Sequence, residues 1–278
     1  MKIVQCVVLF VFLLSTSNAF SQDLHIQEDV VYGHKAGMAL TYDALVPPNA
    51  NGAGVLFIVS GGWYSNWFPP VHIASMFGYL LDEGFTVFAV RHGSAPLFKV
   101  PDAVNDVTRA VRHIRLHSEN FGVDPDRLGA IGFSAGGHLS LMLGLHSDLG
   151  DANSQDPVEQ ISSRVAAVVA FYPLTDLRGL AGPNDRVPAF DFEASLESSV
   201  SPVLFVTEDD PPVLLVHGDQ DELVPISHSY QLKKAMDELR LEVAMHVMEG
   251  AAHGFEGQDH FTGQELSLTY FSKHLLND

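Results

Sequence analysis

The segment Val55-Leu56-Phe57-Ile58-Val59 has no polar side chain. A strand this apolar has no face to offer water, so it belongs inside a sheet covered on both sides. Related runs return at residues 85–90, 127–133, 165–171 and 212–216, with a last strand expected at 242–248. Between them lie stretches of helical character at 72–82, 135–145, 226–239 and 263–276. Between Pro101 and His117, Val104, Val107, Val111 and Ile114 recur at intervals of three and four, which makes one apolar helix face. Pro101 suits the first turn of that helix, and Asp102 and Asp106 lie near its positive end. Residues 24–32 and 38–45 read as two opening strands, punctuated by Gly33 and Gly37. Strands that alternate with helices after such an opening predict the α/β class: a mostly parallel sheet with helices on both faces. The longest irregular stretch, 176–210, is rich in Pro, Asp and Ser and is expected beside the site as a partial lid.

At 278 residues, 46% hydrophobic and 18% charged, the chain has enough apolar content for one substantial core, expected over residues 22–278. The first residues read differently. Lys2 precedes an apolar run over 3–14, broken mainly by Gln5 and Cys6. Small and polar residues follow, ending in Ser17-Asn18-Ala19, with Ala19-Phe20-Ser21 as a second cleavage candidate. This is the pattern of a secretory signal peptide over residues 1–21, cut after Ala19 or Ser21. It is too short to span a bilayer, and the mature protein is expected to be secreted or periplasmic, with no membrane anchor. Cys6 is the sole cysteine and would leave with the signal, so stability is expected to rest on the core and not on disulfides. Removing Lys2 moves the formal charge from −19 to −20 (−19 − 1). Such an acidic chain argues against nucleic acid or anionic membrane as a partner, since both reward Lys and Arg.

The chemistry centres on Ile131-Gly132-Phe133-Ser134-Ala135-Gly136-Gly137-His138, a G-x-S-x-G pattern where an apolar run gives way to a helix former. In a strand-turn-helix setting this is a nucleophile elbow, which lifts the Ser134 hydroxyl above the sheet end. A serine needs a histidine to take its proton, and the histidine needs an acid to fix its tautomer. Later strands offer both. His217-Gly218-Asp219-Gln220-Asp221-Glu222-Leu223-Val224-Pro225 contains three candidate acids, Asp219, Asp221 and Glu222. Ala252-His253-Gly254-Phe255 contains the candidate base His253. His217 and His138 are expected to be structural, Gly136 and Gly137 to allow close helix–sheet packing, and Asp176 to cap its loop. No ligand-spaced Cys/His cluster suggests a metal.

These motifs, together with the segment from Val100 to Val107, resemble the α/β-hydrolase superfamily. Within it they are similar to secreted esterases close to the bifunctional feruloyl and acetyl xylan esterases. The resemblance implies an α/β-hydrolase fold with an eight-stranded, mostly parallel sheet and a short cap or none. It implies a serine carboxylester hydrolase that uses Ser134, Asp221 and His253 and needs no cofactor; the family's D-x-x-V-P pattern favours Asp221 as the acid. The first oxyanion donor is expected to be the Ala135 amide, and the second the amide of Gly62 or Trp63. Relatives carry H-G-G-G-W in the latter loop, where this chain reads Val59-Ser60-Gly61-Gly62-Trp63. Its aromatic neighbours Tyr64 and Trp67, with Trp63 and Phe68, are expected to wall the substrate pocket. The expected substrate is a small-molecule or polysaccharide ester, with a short acyl or feruloyl group on carbohydrate. A general short-chain carboxylesterase or lipase is the near rival; a peptidase or an inactive binding protein on the same fold stands further off.

Overall fold

Successive side chains of a strand point to opposite faces, and the central strands of this chain are buried on both. The computed structural model describes residues 24–276, so the expected signal peptide and Cys6 lie outside the described residues. The strands are β1 (His25–Lys35), β2 (Met38–Val46), β3 (Gly54–Val59), β4 (Thr86–Arg91), β5 (Leu128–Phe133), β6 (Ala167–Phe171), β7 (Val213–Gly218) and β8 (Val243–Met248). The helices are α1 (Pro70–Met76), α2 (Gly78–Leu81), α3 (Val100–Leu116), α4 (Ala135–Leu145), α5 (Ser227–Glu238) and α6 (Gly257–Leu275).

Alternation divides the strand residues between two cores. Leu56 and Ile58 of β3 and Phe88 and Val90 of β4 join the core under α3, α4 and α5. Val55, Phe57 and Val59 of β3 and Val87 and Ala89 of β4 join the core under α1, α2 and α6. The face of α3 read from the sequence is buried as expected: Val104, Val107, Val111 and Ile114 all lie in the first core.

The eight strands form one sheet in the order β1-β2-β4-β3-β5-β6-β7-β8. β2 runs antiparallel to both β1 and β4, and the pairs from β4 through β8 are parallel. The chain moves outward from β3 to β4, then crosses back to place β5 on the other side of β3. In open parallel sheets such a reversal leaves a crevice at the carboxyl ends of the two strands, where ligands bind. The loop after β3 and the Ser134 turn after β5 both open onto it.

Two expected helix boundaries change. The helix expected over 72–82 is broken into α1 and α2 at Phe77 (φ −108°, ψ 18°), whose ring is buried 4.7 Å from that of Phe57. The last helix begins at Gly257, six residues before Gly263. Gly263 lies inside it because a Cβ there would stand 2.9 Å from the Phe171 ring. The 176–210 stretch contains 3-10 turns at Pro188–Phe190, Ala194–Val200 and Pro202–Leu204. It packs onto the body: Ala189, Phe190 and Val200 enter the first core, and the Val200 carbonyl accepts Nε2–H of His138 at 2.8 Å. Among the described residues no helix is long and apolar enough to cross a membrane.

Candidate active site

Ser134 sits between β5 and α4 with φ 54° and ψ −118°, a conformation that costs a non-glycine residue free energy. The surrounding contacts hold it there. Its N–H donates to the Phe171 carbonyl of β6 at 2.9 Å, and its carbonyl accepts the His138 N–H at 2.9 Å as α4 begins. The turn closes only because two positions lack side chains. A Cβ at 132 would lie 2.2 Å from the Gly136 carbonyl oxygen, and one at 136 would lie 2.7 Å from that of Ile58.

His253 arrives on the loop after β8, and Asp221 on the loop after β7. Asp221 Oδ2 is 2.7 Å from His253 Nδ1, and His253 Nε2 is 3.0 Å from Ser134 Oγ. A carboxylate only accepts, so Nδ1 carries the proton and the bare Nε2 accepts from the Ser134 hydroxyl. The other oxygen of Asp221 accepts the amides of Leu223 and Val224 at 3.0 and 2.9 Å, which fixes the plane of a carboxylate whose side chain is wholly buried. Three residues from three loops thus form one hydrogen-bonded line.

The rival acids are occupied elsewhere. Asp219 accepts the Gly250 amide at 2.7 Å, tying the two loops together, and Glu222 is exposed. His217 supports Asp221 from below: its Nε2–H faces both the Val224 carbonyl at 2.8 Å and Asp221 Oδ2 at 3.3 Å, while Nδ1 accepts from Ser229 at 2.7 Å. Burial pushes the His217 imidazole below its ordinary range, so it acts as a neutral donor. Asp176 accepts the Arg178 amide at 3.1 Å and also pairs with its guanidinium, the loop-capping role expected of it.

In the loop after β3, Gly61 and Tyr64 exchange N–H···O bonds of 3.0 Å in each direction. The two residues between them, Gly62 (φ 57°) and Trp63 (φ 61°), turn the chain through the left-handed region. The Gly61 and Tyr64 amides are therefore used within the turn, while those of Gly62 and Trp63 are not part of that pairing. Ala135 supplies the first amide of α4, at the helix end where N–H groups lack partners four residues earlier.

The aromatic residues near the site fall into two groups. Tyr64 and Trp67 are 38% and 55% exposed, and Trp63 is buried against Phe190 and His138 with ring centroids 5.0 and 5.3 Å apart. A small apolar pocket of about 40 Å³ is lined by Phe77, Tyr79, Phe133, Phe171, Tyr172 and Phe255, among others. Neither Tyr64 nor Trp67 lines it. Phe133 immediately precedes the nucleophile. Tyr172 packs edge-on to the His253 ring at 4.6 Å and to Phe255 at 5.1 Å, from a backbone φ of 37°.

Sequence reasoning missed Tyr172 and also His92, the residue after β4. The His92 Nδ1–H donates to the Gly93 carbonyl at 2.8 Å, and the bare Nε2 accepts from the Ser60 hydroxyl at 2.9 Å. Burial lowers its pKa to about 4, so the ring is neutral. No local pattern marks either residue; only the adjacency of β4 to β3, and of β6 to the His253 loop, brings them to the site.

Several known esterases are similar to this chain. The probable carboxylic ester hydrolase LipM of Mycobacterium tuberculosis is 30% identical over 226 residues, covering 76% of this chain and 51% of that protein. The acetylxylan esterase of Xylanibacter ruminicola is 24% identical over 230 residues, covering 76% of this chain and 42% of that protein. The chain spans about half the length of these two and of other curated relatives that it matches. Among solved structures, Thermogutta terrifontis esterase 2 phosphonylated by cyclosarin superposes with a TM-score of 0.75 at 25% identity, covering 92% of this chain and 97% of that one. The BD-FAE family model matches residues 43–236, well over half of the sequence, and the chain belongs to that family.

Proposed function

We propose that this protein hydrolyses carboxylic esters through an acyl-serine intermediate, a reading carried by the hydrogen-bonded line from Ser134 through His253 to Asp221. Ser134 Oγ attacks the ester carbonyl carbon while His253 Nε2 takes the hydroxyl proton. The carbonyl electron pair moves onto oxygen, where the Ala135 amide and that of Gly62 or Trp63 meet the developing charge. Collapse of this adduct breaks the bond to the alcohol oxygen, which leaves with the proton from His253. Water then attacks the acyl-serine and gives its own proton to Nε2. The carboxylic acid departs as Ser134 regains its hydrogen. Asp221 keeps the imidazole in one tautomer and stabilises the imidazolium of each step.

The proposed substrates are short acyl or feruloyl esters of carbohydrate. Support comes from the acetylxylan esterase relative and from the small apolar pocket walled by Phe133, which precedes Ser134, and by Tyr172, which packs on His253. A general short-chain carboxylesterase is the second reading, favoured by the likeness to LipM. The test begins with a fluorophosphonate probe: wild-type protein should be labelled and Ser134→Ala should not. Equal labelling of both would sink the mechanism. Rates on p-nitrophenyl acetate, butyrate and longer esters, beside acetylated xylan and methyl ferulate, then separate the readings. Activity confined to the p-nitrophenyl esters would favour the general carboxylesterase. Export belongs to the same proposal: the mature protein should begin at Phe20 or Gln22, and an intact N-terminus in intracellular material would refute it.

A further inference from the structure

The Ser60-Gly61-Gly62-Trp63 loop must hold an amide within hydrogen-bond reach of the ester oxygen, yet its two central residues sit at positive φ, one of them a tryptophan. A turn of that kind keeps its shape only where neighbours over-determine it. Here the neighbour is the segment after β4. The Ser60 hydroxyl donates to His92 Nε2 (2.9 Å), the Ala95 N–H donates to the Trp63 carbonyl (3.0 Å), and the Ser65 N–H donates to Ser94 Oγ (3.0 Å). Ser65 Oγ then accepts the His92 N–H (3.2 Å) and donates to the Val59 carbonyl (2.7 Å). The loop is thus pinned at its first, fourth and sixth residues.

The segment that pins it is itself anchored. The Arg91 guanidinium meets both oxygens of the buried Asp43 at 2.6 and 2.9 Å, and the Arg91 carbonyl accepts the Tyr32 hydroxyl at 2.6 Å. One residue beyond His92, the Gly93 amide donates to Asp106 Oδ2 at 2.8 Å, and Asp106 pairs with Lys35 at 2.7 Å. His92 therefore stands between fixed groups from β1, β2 and α3, with one nitrogen committed to Gly93 and the other directed at Ser60.

We propose that His92 is a positioning residue for the oxyanion loop: by accepting the Ser60 hydroxyl proton it sets where the Gly62 and Trp63 amides stand relative to Ser134. This rests on the ester-hydrolase reading. The imidazole of the residue after β4 thus meets the serine that opens the loop.

The test is steady-state kinetics on p-nitrophenyl acetate, with thermal melts, for the full chain and four variants: Ser60→Ala, His92→Leu, their double, and His92→Gln. Loss of an oxyanion donor costs about 100- to 1000-fold. Loosening its loop should therefore lower kcat about tenfold or more in Ser60→Ala and His92→Leu, with KM changed by less than about twofold. The double variant should fall no further than the worse single, because both remove one interaction. In His92→Gln the amide oxygen reaches about as far as Nε2, and most of the rate should return. Additive losses, a raised KM with kcat intact, or a Ser60→Ala variant as fast as an active wild type would each overturn the proposal while leaving the esterase reading in place. A wild type that neither turns over esters nor takes the fluorophosphonate would sink that reading and this inference with it.

Discussion

Asp221 illustrates how a single side chain is committed to one role. With two backbone amides on one oxygen and His253 on the other, its carboxylate has no freedom to rotate away, and Asp219 two residues earlier is turned to Gly250 instead. Asp221→Asn keeps the volume but presents an amide where the imidazole needs an acceptor, which favours the wrong tautomer. The kcat on p-nitrophenyl acetate should fall by on the order of 10⁴ with KM little changed. A fall of less than about tenfold would return Asp219 or Glu222 to consideration. Tyr172 belongs to the same scale. Its ring packs against His253 from a strained φ, a placement that no local sequence pattern announces.

At the scale of elements, the helices and strands divide into those whose boundaries follow local rules and those set by a partner. α3 begins at the Pro101 turn and buries the face that its period predicts, because both signals lie within a few residues of chain. α6 disobeys. A glycine at 263 reads as a helix boundary, since it is a poor helix former, but the residue sits mid-helix to let α6 lie against Phe171. Gly263→Val would drive a branched side chain into that ring, which is itself stacked on Phe133 at 4.8 Å. Urea unfolding should show a loss of about 1–3 kcal/mol, the usual range for overpacking. A variant as stable as wild type would mean that the helix can slide away from Phe171.

For the whole molecule, the relevant quantity is how protons bind to folded and unfolded chains. Burial lowers the pKa of both His92 and His138 to about 4. In the unfolded chain a histidine titrates near about 6.5. Between these values the unfolded state binds more protons, so each histidine contributes a loss of stability as pH falls from about 6.5 to 4, at about 1.4 kcal/mol per pH unit. Above that window neither matters; below it their effect is complete. Calorimetry from pH 7.5 to 5 should show Tm dropping once the solution passes below about 6.5. A level Tm to pH 5 would contradict the burial of these rings. The Nε2–H of His138, donated to the Val200 carbonyl, also links the docked 176–210 stretch to the body.

The alternation of apolar runs with helical periods determined the α/β class from sequence, because strand and helix burial are written in spacings of a few residues. Ser134 and His253 were legible for a related reason: each follows a strand, and strand ends on such a sheet share one edge. That placement left Asp219, Asp221 and Glu222 open, and only the D-x-x-V-P resemblance favoured Asp221. Contacts set by strand order were not legible. β3 and β4 touch along their length though some 30 residues of chain separate them, and β8 brings His253 to a serine 119 positions earlier. The support of the oxyanion loop by His92, the packing of Tyr172 on the imidazole, and the cavity formed by Phe133, Phe171 and Phe255 all arise across such gaps. Only the tertiary structure decides them, since no local spacing encodes which side chains meet once the sheet has closed.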